Sequence, residues 1–257
     1  MSRFVEIECA GTVTIELDDD GELHFHDFDE EAELAAVAMG FEPSLCLLLR
    51  DFIIKRDLHI RFDPSKTLLV MLEGAPSPRA DDRGDLLAPA YLGDVVAALL
   101  ALGANPNYKN HYCEYLLTLA AMNCLFEAIP SLLDAGADPT SNKNGALRWS
   151  AEYGQDEIIN LLLDHGSDIN AMAGAALFRA AEQNNSSTVQ LLLEKGIALS
   201  DGAAERAALA AIREGNITSL RLLLEAGADP HWSKGILFTT AREEGSRTII
   251  KLLEEYA

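Results

Sequence analysis

The chain has 257 residues, 49% of them apolar, which suffices for a continuous core and excludes wholesale disorder. Its formal net charge of −21 argues against nucleic acid as a ligand, because phosphate would be repelled. The same excess fits a basic protein partner, or serves only to keep a leucine-rich chain in solution.

Acidic residues interrupt the N-terminus from the start, so no secretory leader is expected, and no run of about eighteen apolar residues marks a membrane span. The cytoplasm is the expected compartment. Cys9, Cys46, Cys113 and Cys124 form no C-x-x-C pair and read as small core hydrophobes of a reducing compartment. Within residues 1–30, Val5, Ile7 and Cys9, then Val13, Ile15 and Leu17, then Leu23 and Phe25 alternate with polar residues at the strand period. Asp18-Asp-Asp-Gly21 supplies a turn, so a β-hairpin capping the rest of the chain is expected.

Residues 31–84 divide in two. Ala35-Ala-Val-Ala-Met-Gly40 followed by Leu45-Cys-Leu-Leu-Leu49 reads as a degenerate first repeat over about Glu31–Ile54. An irregular insertion follows, with a candidate strand (Leu58, Ile60, Phe62), an apolar run Thr67–Leu72 and a Gly/Pro/Asp/Arg-rich loop at Gly74–Gly84.

From residue 85 onward one phrase recurs: LLALGANPN from Leu99, SLLDAGADPT from Ser131, LLLDHGSDIN from Leu161, LLLEKGIALS from Leu191 and LLLEAGADPH from Leu222. Its glycines, Gly103, Gly136, Gly166, Gly196 and Gly227, are 33, 30, 30 and 31 residues apart. A leucine run closed by Gly is a helix C-terminus in which Gly takes the left-handed cap conformation. Upstream of each phrase after the first lies a helix rich in small residues, and the turns at Gly154, Asn184, Gly215 and Gly245 repeat at the same interval. A thirty-residue period of this kind means a solenoid of helix-turn-helix repeats.

Small-residue helix, tight turn, leucine helix and Gly-Ala-Asp-Pro/Ile loop together resemble the ankyrin repeat family over about Asp85–Ala257. The fold expected is therefore mostly α: an ankyrin-like α-solenoid over residues 85–257, preceded by the small β-hairpin cap. Departures from the family pattern are informative. The Thr-Pro-Leu-His box is absent, its places held by Tyr115-Leu-Leu-Thr118, Gly145-Ala-Leu-Arg148, Ala175-Ala-Leu-Phe178, Arg206-Ala-Ala-Leu209 and Ile236-Leu-Phe-Thr239. From Gly103 to its matching inner-helix residue Ala120 is 17 positions, against 14, 14, 15 and 14 in later repeats. One full-length finger is thus expected at Asn105–Tyr112, with stubby loops elsewhere and recognition shifted to the concave face. The last outer helix, with Lys251, Glu254 and Glu255, suits a polar terminal cap.

Asp18-Asp-Asp-Gly21 lacks the spacing of a calcium loop, and His24 with His26 on one strand face makes only two ligands of a metal site. No phosphate loop, dinucleotide fingerprint, nucleophile elbow or zinc-protease helix occurs, so neither cofactor nor catalytic residue is expected. The family resemblance implies that the two residues before each inner turn face the groove. These are Met122 and Asn123, Glu152 and Tyr153, Glu182 and Gln183, Arg213 and Glu214, and Glu243 and Glu244. They form an acidic ladder, or else ordinary solvated helix ends. Trp149 lies one turn before Tyr153, an aromatic pair suited to a basic side chain or to core packing between repeats. Trp232, with His231, in the last loop and Tyr108, His111 and Tyr112 in the finger are placed for exposure.

The function expected is a non-enzymatic protein–protein interaction module whose acidic concave face binds, and neutralises, a basic protein in the manner of an immunity protein. Its partner is a protein, not nucleic acid, membrane or a small-molecule substrate. A scaffold or host-directed effector acting through the Asn105–Tyr112 finger and terminal loops is the second reading. A metal-dependent enzyme at His24 and His26 is the third.

Overall fold

Two apolar columns run through the repeated phrase, seven and four residues ahead of each glycine. They are Val96 and Leu99, Ile129 and Leu132, Ile159 and Leu162, Val189 and Leu192, and Leu220 and Leu223. That spacing places both on one helical face, and all ten are fully buried. The computed structural model describes residues 3–8, 12–17, 23–26, 64–74, 89–199 and 202–257. By packing, the chain divides into two compact units, Met1–Asp138 and Pro139–Ala257.

The second unit contains four helix pairs. Their inner helices are α5 (Ser141–Glu152), α7 (Ala171–Glu182), α9 (Ala203–Arg213) and α11 (Trp232–Glu243). The outer ones are α6 (Asp156–Asp164), α8 (Ser186–Glu194), α10 (Ile217–Glu225) and α12 (Arg247–Glu255). Each inner helix packs on its own outer helix and on the inner helix of the next repeat. Buried small residues such as Ala146, Ala151, Ala176, Ala180, Ala207 and Ala211 allow these axes to approach closely.

The first unit contains β1 (Arg3–Glu8), β2 (Thr12–Leu17) and β3 (Leu23–His26), joined antiparallel in the order β1-β2-β3. Nothing supports a role for this sheet as a lid on the repeats. The turn at Asp18–Gly21, the degenerate repeat at Glu31–Ile54, the candidate strand at 58–62, the loop at 75–84, Cys9 and Cys46 lie outside the described residues. The unit also holds α1 (Pro64–Gly74), α2 (Pro89–Ala101), α3 (Leu116–Met122) and α4 (Ala128–Asp134). Here α1 packs on both α2 and α3, and α2 on α4, the arrangement of two consecutive repeats. The apolar run at Thr67–Leu72, expected to be part of an irregular insertion, is thus a helix with Leu68, Met71 and Leu72 buried.

All five outer-helix phrases close in the same way. The glycine φ values are +98°, +89°, +97°, +81° and +102°, a region that side-chain-bearing residues enter only at a cost. At Gly136, its N–H donates to the Leu133 carbonyl and the next N–H, of Ala137, donates to the Leu132 carbonyl. The corresponding pairs occur at Gly103, Gly166, Gly196 and Gly227, so carbonyls that a helix end leaves orphaned are satisfied.

The loops then diverge as their lengths require. After Gly103 the chain forms a hairpin finger: Lys109 bridges Tyr115, and Asn110 N–H donates to the Glu114 carbonyl. In three of the four later repeats three consecutive left-handed residues replace the finger. They are Asn142, Lys143 and Asn144, then Met172, Ala173 and Gly174, and finally Ser233, Lys234 and Gly235.

Side chains from each repeat also latch the next loop. The N–H two residues after each cap glycine donates to a side-chain oxygen of the preceding repeat. Asn105 donates to Ser65 Oγ (2.8 Å), Asp138 to Asn107 Oδ1 (2.7 Å) and Asp168 to Asn144 Oδ1 (2.7 Å). Ala198 donates to Asn170 Oδ1 (2.7 Å) and Asp229 to Glu205 Oε1 (3.3 Å). Ser65 supplies the first of these latches from α1, which marks α1 as the inner helix of its own repeat.

Candidate partner-binding site

Two inner helices of the second unit, α5 and α7, bring predicted groove residues of neighbouring repeats together. Trp149 and Tyr153, one turn apart on α5, stack with centroids 6.1 Å apart at 18°, and both are half-buried. Glu152 points toward α7, its side chain only 12% exposed. There Arg179 takes the place that Trp149 holds in the preceding repeat. Its Nη1 lies 3.5 Å from Glu152 Oε2 and 3.3 Å from Glu182 Oε2, so one guanidinium bridges two rungs of the expected acidic ladder. The ladder is therefore interrupted by an internal cation. Arg179 precedes Glu182 by three residues, a spacing that pairs opposite charges on a helix, and this signal in the sequence was missed.

A second arginine, Arg148, stands beside the aromatic pair and is half-buried. Its Nη2 donates to the Asn142 carbonyl at 3.1 Å, fixing the left-handed turn that opens α5, while its Nε is buried without an acceptor. Burial, and then the neighbouring charge of Arg179, push this guanidinium below its ordinary value.

Farther along, Gln183, Arg213, Glu214, Glu243 and Glu244 are all exposed. Among the described residues, no cation pairs with Glu214, Glu243 or Glu244. Trp232 lies just ahead of the left-handed residues Ser233, Lys234 and Gly235, at the turn that opens α11, and it is half-buried where exposure was expected. Its ring covers Gly202 so closely that a β-carbon there would lie 2.9 Å from Cζ2.

In the first unit, the finger carries Tyr108, half-buried, and Tyr112, 73% exposed. His111 lies against Tyr112 with ring centroids 3.7 Å apart, the rings tilted by 43°. The tip is set by Asn110, a buried residue. Its Oδ1 accepts from the N–H groups of Tyr112 (3.0 Å) and Glu114 (2.9 Å), and its Nδ2 donates to Glu73 (2.8 Å) and Glu114 (3.0 Å). Cys113 is exposed and Cys124 half-buried, with φ of +64° and +59°, so neither is the core residue expected. Asn123, expected to face the groove, donates instead to the Leu72 carbonyl at 2.7 Å and closes the end of α1. The side chains of His24 and His26 lie outside the described residues, and among those described no three metal-binding groups converge. No described helix is long and apolar enough to cross a membrane.

A family model for ankyrin repeats in three copies matches residues 86–173. The crystal structure of an ankyrin repeat domain from Acinetobacter baumannii AYE is similar at 26% identity with a TM-score of 0.53, covering 65% of this chain and 96% of that one. The chain carries ankyrin repeats. No curated protein is similar to it in sequence. Ankyrin repeats mediate binding between proteins, which makes the inner-helix face and the finger the surfaces of interest.

Proposed function

We propose that this ankyrin repeat protein is a non-enzymatic binding module whose inner-helix face in residues 139–257 holds a basic protein partner and masks its basic surface, as an immunity protein does. The observation that carries the reading is the set Glu214, Glu243 and Glu244, exposed at matching ends of α9 and α11 and without a described counter-ion. Glu152 and Glu182 contribute less charge to a partner, because Arg179 already offsets them. The stacked Trp149 and Tyr153 add aromatic area of the kind that anchors interfaces.

Co-purification at low and at high salt identifies the partner. Changing Glu214, Glu243 and Glu244 to Lys together abolishes binding and its salt sensitivity. Equal affinity for this variant and the parent at low salt defeats the proposal.

The finger supports the second reading. Tyr112 is exposed on a tip whose backbone Asn110 holds in one shape, so little conformational freedom is lost when it docks. Binding that ignores salt and disappears on replacing Tyr112 by Ala assigns recognition to the finger.

A further inference from the structure

We propose that Arg148 is a receptor for one acidic side chain of the protein partner, a contact separate from the glutamates that meet the partner's basic surface. Three observations converge on it. Arg148 is half-buried in the inner-helix face, yet among the described residues no carboxylate pairs with it. Glu152, one turn further on α5, pairs across the repeat with Arg179 instead. The second guanidinium, of Arg179, bears on Arg148 as a like charge. A partly desolvated cation beside another cation is disfavoured in the free protein, and a carboxylate would relieve it.

The remaining donors define what fits. Nε is buried, and one proton of Nη2 is used on the Asn142 carbonyl. Nη1 and the second Nη2 proton remain, the end-on edge of the guanidinium, which matches the two oxygens of a carboxylate. Two such donors suit one carboxylate, while Glu152 and Glu182 are held on Arg179. The stacked Trp149 and Tyr153 alongside provide apolar surface for the methylenes of that acidic residue.

The proposal takes from the proposed function only that this face is the binding face, and its test uses the free protein, so the two can fail separately. The buried Nε–H of Arg148 is followed by NMR while N-acetylglutamate α-amide is added at constant ionic strength. The resonance shifts and saturates, whereas the neutral N-acetylglutamine α-amide leaves it in place. No saturable shift, equal shifts from both amides, or a tighter response to inorganic phosphate overturns the assignment. Arg148→Met gives the second measurement. If the charge is held for a partner, the melting temperature of the variant is unchanged or higher and the shift of neighbouring resonances is lost. A melting temperature lowered as by loss of a core residue shows that Arg148 serves only to hold the Asn142 turn, and also overturns it.

Discussion

Ala173 sits exposed at φ +55°, the middle of three left-handed residues, with nothing but its backbone engaged: its carbonyl accepts from Arg206. A β-carbon in that region costs about 1–2 kcal/mol, and glycine would return part of this as freedom in the unfolded chain. Ala173→Gly therefore raises stability by a few tenths to about 1 kcal/mol, read as a higher denaturant midpoint at unchanged m-value. A lower midpoint contradicts the geometry. The cap glycines were legible in the sequence because Gly is the residue that tolerates positive φ at a helix end, so the chemistry and the letter coincide. The left-handed turns were not legible, since Asn142, Lys143, Met172, Ala173, Ser233 and Lys234 adopt the same region without the glycine that announces it. Gly154 illustrates a further role. A β-carbon there would lie 3.0 Å from Asn185 Cγ, the amide that donates to the Ala151 and Glu152 carbonyls.

Among the elements, the finger and α1 differ most in how visible they were. The finger announced itself by length, three residues beyond the other loops, and its hairpin follows. What holds it was hidden, because Asn110 reaches Glu73 on α1, 37 residues away. Asn110→Ala removes an acceptor of two N–H groups and two donated bonds, at a cost of about 1–3 kcal/mol. Hydrogen exchange at the Tyr112 and Glu114 amides accelerates in this variant, and unchanged exchange would show that the tip is held by other contacts. Helix α1 escaped notice for a different reason. In every later repeat a tight turn joins inner to outer helix, whereas residues 75–88 stand between α1 and α2, so the period fails although the packing does not. The groove lies between these extremes. Its positions followed from the register, but the pairing of Arg179 with Glu152 crosses repeats and depends on side-chain reach that spacing alone does not give.

For the molecule as a whole, charge is unevenly divided. Residues 1–138 hold 25 acidic and 9 basic residues, while residues 139–257 hold 16 and 11. The net charge of −21 is therefore a poor guide to the inner-helix face of the second unit, where local pairing decides what a partner meets. Stability in that unit is a sum over neighbouring repeats, since each inner helix packs mainly on the adjacent ones. Leu192 is fully buried in α8, and Leu192→Ala costs about 2–5 kcal/mol. Amide protection then falls most in α7 and α8, less in α5 and α9, and least in α11; a uniform loss would show all-or-none unfolding instead. The side-chain latches bear on a separate matter, the exchange of parts. Each joins an oxygen on one repeat to a main-chain N–H on the next, so the recipient contributes nothing peculiar to its own side chains. A joint that asks for only one specified partner is portable: repeats can be duplicated, shuffled or grafted as long as the donor segment brings its Asn, Ser or Glu with it.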